Sequence, residues 1–196
     1  MVTAPLPALG VPPMSRIRFA TAQALFEAFP EVSHKIGTAP SEQTPVDFLK
    51  SLASDGKMAD AVTFCAYLLP RREAVWWACG CVRRLLGDLP KDQAAGLLAA
   101  EAWVYQPDHE HRRAALDIGV KGDSKDALTW LALAAGWSGG FLKSSRNRQD
   151  PVPPYMTARA ARIAVLFSAS KVGGVERAKR LQTCIAEGIE LAENGL

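Results

Sequence analysis

Reactive side chains are scarce in this chain. Three histidines and four cysteines stand among 196 residues, and aromatic residues make up only 8%. So few metal ligands, spread so widely, leave little material for a zinc site. Two of the histidines, His109 and His111, are neighbours at i,i+2, whereas a helical zinc pair needs i,i+4 spacing and a third ligand. The other histidine, His34, is remote in sequence. Cys79 and Cys81 are also two apart, about 200° around a helix axis, so they do not chelate one metal while helical. Phosphate loops of the G-x-x-x-x-G-K-[ST] type are missing, as are G-x-S-x-G elbows and paired carboxylates at catalytic spacing. These absences point away from an enzyme and from any metal or cofactor, and the expectation is a protein without either.

Long apolar runs are missing too. The longest uncharged internal run, between Asp126 and Lys143, has 16 residues and contains Gly136, Gly139 and Gly140. It is too short and too broken to span a bilayer. The opening MVTAPLPALGVPPMSRIR lacks a basic start, and Pro5, Pro7, Pro12 and Pro13 interrupt its apolar character, which argues against a secretory signal. Residues 1–17 read as a flexible Pro/Ala-rich tail. Cys65, Cys79, Cys81 and Cys184 sit within apolar helical patterns, as small buried hydrophobes do. A reduced, cytoplasmic protein is expected. The formal charge of +3 is a mild excess. Nucleic-acid binders carry a denser basic field.

Helix-forming material fills the space these absences leave. The chain is 48% hydrophobic, rich in Ala and Leu, and no stretch alternates apolar and polar residues as a half-buried strand would. The first helical pattern runs from Arg18 to Phe29, with Phe19, Ala22, Leu25, Phe26 and Phe29 on one face. Pro30 closes it, and a polar linker follows from Glu31 to Ser41. Thr44-Pro45-Val46-Asp47 is a capped helix start whose helix ends near Gly56. Further helices are expected at 58–69, from Pro70 to Gly87, at 91–105, 108–120, 124–137, 157–171 and 175–193. Asp108 serves as one cap, and Asp123 or Ser124 as another. The last helix has Val175, Ala178, Leu181, Ile185, Ile189 and Ala192 as its buried stripe, with Glu176 and Arg180 paired outside. The fold class is therefore all-α: one domain over residues 18–196, an irregular array of about eight or nine short antiparallel helices. Paired short helices permit a repeat stack, but no fixed period recurs.

Two segments stand out as contact surfaces. The helix that opens Pro70-Arg71-Arg72-Glu73 and continues through Trp76, Trp77, Cys79 and Cys81 reads either as a large core helix or as a contact surface, since it concentrates the residue types that dominate interface hot spots. Val75, Cys79, Val82 and Leu86 share one face, so one of its two cysteines belongs to a core stripe. The second is a loop over 138–155 without helical periodicity, of a length that is usually either functional or disordered. It carries Gly139, Gly140, Phe141, Lys143, Arg146, Arg148 and Tyr155, and its Val152-Pro153-Pro154 stretch favours extended geometry. The candidate partner-binding residues are thus Arg71, Arg72, Glu73, Trp76 and Trp77 on the helix, with those seven on the loop.

The runs Cys65-Ala66-Tyr67-Leu68-Leu69-Pro70-Arg71-Arg72-Glu73-Ala74-Val75-Trp76-Trp77-Ala78, Asp126-Ala127, Trp137-Ser138-Gly139-Gly140, Val152-Pro153-Pro154 and Met156-Thr157-Ala158-Arg159-Ala160 carry a family resemblance. Over roughly residues 45–172 the chain resembles a proteobacterial family of uncharacterised small proteins often encoded among type VI secretion components. The resemblance implies an accessory role in type VI secretion and carries over no catalytic residue. The expected function is that of an adaptor, chaperone or co-factor for an effector or spike component, acting by protein–protein contact. An immunity protein that occludes a cognate toxin is the alternative. A nucleic-acid binder using Lys143, Arg146 and Arg148 is a further one, to be recognised by salt-dependent binding.

Overall fold

Thr21 starts the first helix, its hydroxyl accepting the backbone N–H of Ala24 at 3.2 Å. The computed structural model describes residues 17–91, 93–143 and 149–194, so the expected N-terminal tail lies, but for Ile17, outside the described residues. Helix α1 spans Ala22–Ala28, shorter than the apolar pattern from Arg18 suggests, because the Thr21 cap sets its beginning. Phe19 still packs edge-on against Phe29, with ring centroids 5.9 Å apart. Pro30 opens a 3-10 helix, Pro30–His34, where a linker is expected. Val32 within it and Ile36 just beyond are buried, so this stretch is part of the core.

Helix α2, Pro45–Ser54, begins as its sequence dictates: Thr44 Oγ1 accepts the Asp47 N–H at 3.2 Å, and Asp47 lies in the first turn. It gives way to Gly56 at φ +74°, a conformation favouring glycine. Then come α3 (Met58–Leu68), α4 (Arg71–Leu86), α5 (Ala95–Tyr105), α6 (His109–Lys121) and α7 (Ala127–Gly136). Asp108 caps α6 by accepting the His111 N–H at 2.8 Å. For α7 the cap is Asp126, whose carboxylate accepts the Thr129 N–H, and not Asp123 or Ser124. Asp123 instead accepts the Lys125 N–H in the preceding turn, and Trp130 Nε1 donates to the Ser124 carbonyl. Helix α8 (Tyr155–Ser170) starts directly after Pro154, and α9 covers Gly174–Asn194.

The loop over 138–155 holds the largest departure from expectation. Phe141–Lys143 (β1) pairs antiparallel with Gln149–Pro151 (β2), in the register Phe141 to Pro151, Leu142 to Asp150 and Lys143 to Gln149. Strands of three residues are too short for an alternating pattern to register. Apart from this hairpin the described residues form helices and turns, and the fold is all-α with one core.

Helix α4 is the axis of that core, packed against α3, α5, α7, α8 and α9. This explains why Cys79 and Cys81 are both buried, not one alone: α4 has neighbours on most of its circumference. All four cysteines are free and buried. Burial raises the Cys65, Cys79 and Cys81 thiols above their ordinary value. Such protonated thiols act as packing groups and not as nucleophiles. The stripe of α9 also differs from expectation. Leu181, Cys184, Ile185, Gly188 and Ala192 are buried and Ile189 is half-buried, whereas Val175 is 88% exposed and Ala178 is exposed. The first two turns of α9 run past the end of α4 and have nothing beneath them to cover. Glu176 and Arg180 do pair there, at 2.7 Å. Among the described residues, no helix is long and apolar enough to cross a membrane.

Candidate functional site

Trp76 and Trp77 leave α4 about 100° apart, and their environments divide accordingly. Trp77 is buried, its indole Nε1 donating to the Cys184 carbonyl in α9 at 2.8 Å. Trp76 is half-buried and meets Tyr105, at the end of α5, edge-on with centroids 5.8 Å apart. Tyr105 is 73% exposed, although large aromatic rings are ordinarily covered.

These two rings stand at one end of a groove of about 670 Å³. Its floor is the outer face of α4: Trp76, Gly80, then Arg83 and Arg84, at helical spacing. Glu101 and Tyr105 of α5 form one wall, and Glu187, Glu190, Leu191 and Asn194 of α9 form the other. Both flanking helices run antiparallel to α4. Arg83 faces Glu101 while Trp76 faces Tyr105, and Arg180 reaches the Leu85 carbonyl while Trp77 reaches Cys184. The far end is tied on both sides. Arg83 grips Glu101 through two bonds, at 2.6 and 2.7 Å, and Arg84 pairs with Glu187. Between the ties and the rings, a Cβ on Gly80 would meet nothing within 4 Å. The groove therefore has a notch in its floor, an aromatic end and a closed charged end.

The remaining helix candidates serve the scaffold. Arg71 donates to the Ser138 carbonyl at 2.7 Å, just past the end of α7, and Arg72 to the Val104 carbonyl at 2.8 Å, near the end of α5. Cations on carbonyls at helix C-termini complement the dipole there. Arg112 of α6 adds bonds to the Gly136 and Gly139 carbonyls, so α7 is closed by two arginines from different helices. Glu73 is buried in the field of Arg18, whose pKa is lowered first by burial and then by Arg71.

The loop candidates among the described residues do not join the groove. Gly140, at φ +83°, lies against the Arg112 guanidinium, with a Cβ position 2.8 Å from Nη1. Gly139 contributes its carbonyl to the same arginine, and Tyr155 begins α8. Phe141 is 61% exposed beside a separate shallow cleft with His109, Arg112 and Arg113. Lys143 is the last residue of β1, and Arg146 and Arg148 lie outside the described residues. Of the sequence candidates among the described residues, Trp76 and Trp77 alone line the groove. Sequence reasoning missed Gly80, Arg83, Arg84, Glu101, Tyr105, Glu187, Glu190 and Leu191. One signal was legible: a glycine in mid-helix, where Ala would be favoured, often marks a close approach.

No curated protein and no solved structure matches the chain. One family model does, over residues 48–192, from within α2 to near the end of α9. That span includes every residue lining the groove except Asn194. The chain therefore belongs to a family of unknown function (DUF6931).

Proposed function

We propose that this protein is a non-catalytic accessory protein of bacterial type VI secretion, an adaptor that holds another protein in the groove between α4, α5 and α9. The motif resemblance described above supplies the cellular setting. The observation that carries the contact reading is the exposed Tyr105 ring set edge-on against Trp76 above the bare helix face at Gly80. An aromatic pair beside an empty notch is the composition of an interface anchor site. The arginines lining the groove are committed to pairing with carboxylates and do not converge on one point, which suits binding and not bond making.

A photo-crosslinking amino acid placed at Tyr105 in the native host tests this. The expected product is a covalent adduct with a secretion component or effector, lost when Gly80→Leu fills the notch. An adduct to nothing, or one unchanged by Gly80→Leu, would refute the reading. An adduct to a toxin, together with rescue of cells expressing that toxin, would replace the adaptor by an immunity protein.

A further inference from the structure

The groove's charges are unequal, and the inequality says what enters it. Its lining holds three carboxylates, Glu101, Glu187 and Glu190, against two guanidiniums, Arg83 and Arg84. Both guanidiniums are spent, Arg83 on Glu101 and Arg84 on Glu187. Glu190 is exposed and has no hydrogen bond or ion pair among the described residues. Arg72, one turn before Trp76, is held on the Val104 carbonyl and does not line the groove. One negative charge is thus left over, on the wall that also carries Leu191. Trp76 and Tyr105 add ring faces and edges at the same site, and aromatic rings attract cations.

The floor constrains shape as well as charge. Trp76, Gly80 and Arg83 follow one face of α4, so what lies between α5 and α9 meets a helix along its length. Helices pack with axes about 8–10 Å apart, closer where the contact residues are small. Gly80 supplies that small contact, with open space where any other residue would carry a Cβ. The groove volume of about 670 Å³ exceeds the bulk of one side chain.

We infer that the occupant is an amphipathic α-helix of a partner protein, with an apolar side chain seated over Gly80 and a lysine or arginine one or two turns away facing Glu190 beside Trp76 and Tyr105. This rests on the reading of the groove as a protein-binding site and specifies what binds there. The chain's own charge sharpens the argument. At +3 overall, the protein does not attract cations in general, so preference for a basic helix would come from the groove itself.

The test uses the full chain and two synthetic 18-residue amphipathic helices, one built of leucine and lysine, the other of leucine and glutamate. Binding is followed by calorimetry. The lysine helix is expected to bind at least about tenfold more tightly than the glutamate helix. Glu190→Gln is expected to weaken the lysine helix by about three- to fivefold, the scale of one exposed ion pair. Gly80→Leu, whose fold is checked by melting, is expected to reduce binding at least about tenfold. Equal binding of the two helices, no binding of the lysine helix, or binding indifferent to Gly80→Leu would overturn the inference. A crosslink from position 105 that survives while charge preference is absent would sink this inference alone. Absence of the crosslink would sink the adaptor reading beneath it.

Discussion

The indole nitrogen of Trp77 lies 2.8 Å from the carbonyl oxygen of Cys184, pinning α4 to α9 at the centre of the protein. Its neighbour Trp76 is half-buried and meets the exposed Tyr105 ring at the end of the groove. The two tryptophans should therefore separate fold from binding. Trp77→Phe loses a buried hydrogen bond and part of a ring, and should cost about 2–3 kcal/mol in urea unfolding. Trp76→Ala should cost clearly less while removing partner binding. Equal losses of stability would show that both rings serve the core.

Two helical glycines should respond in opposite directions to alanine. At Gly188 a Cβ would press on Cys65 Sγ and lie 2.9 Å from Trp77 Nε1. Gly188→Ala should destabilise by about 1–3 kcal/mol through overpacking. At Gly80 there is open space, and Gly80→Ala should stabilise by about 0.5–1 kcal/mol through helix propensity. Thermal melting of the two variants beside the parent chain decides both.

Tyr67 is fully buried, and its hydroxyl has no hydrogen-bond partner among the described residues. Burial first, and the nearby Glu31 second, push its pKa up to about 12. Removing an unpaired polar group from a core removes a desolvation cost. Tyr67→Phe should raise stability by about 1 kcal/mol in denaturant unfolding. A loss instead would mean that a bound water satisfies the hydroxyl.

Arg71 and Arg112 close the end of α7 from two helices. Replacing either with Met should cost about 1.5–3 kcal/mol, the scale of a charged hydrogen bond to a carbonyl. Amide exchange should quicken in β1 and β2, which follow directly. Unchanged exchange in the hairpin would show that its position does not depend on these contacts.

Asp108 caps α6, and its carboxyl is held below its ordinary value, first by accepting the His111 backbone N–H and then by bonding the His111 ring. A depressed folded pKa contributes stability that is present above the unfolded value and lost as pH falls through the folded one. Asp108→Asn should therefore melt at a lower temperature than the parent chain at neutral pH. The gap should close as pH falls from about 5 toward 2. A gap that persists at the acid end would assign the difference to geometry and not to charge.

Helix identity and several ends were legible in the chain because their determinants are local. Thr44-Pro45-Val46-Asp47 carries its own cap, Asp108 reaches only to His111, and Gly87 at φ +73° terminates α4 where a glycine is already expected. Each of these signals acts within about one turn. The start of α7 differs from the expected Asp123 or Ser124 because Asp126 stands close behind them, and the fold assigns Asp123 to the turn and Asp126 to the helix.

What α4 does with its side chains was decided by tertiary structure. Helical periodicity separates Trp76 from Trp77 but does not say which one faces α9. Arg71 and Arg72 look like a binding surface in sequence, yet their nearest acceptors are carbonyls 67 and 32 positions away. The stripe of α9 continues in sequence to Val175, but burial needs a neighbour, and α4 ends before it. The groove follows the same logic. It joins α4 to residues 18 positions onward at Arg83–Glu101 and 103 onward at Arg84–Glu187, and its character depends on which arginine meets which glutamate. Composition and local pattern determined that the chain is helical, with its cysteines within apolar patterns. Packing determined where one helix face stays bare, because exposure is a property of neighbours and not of the residue that carries it.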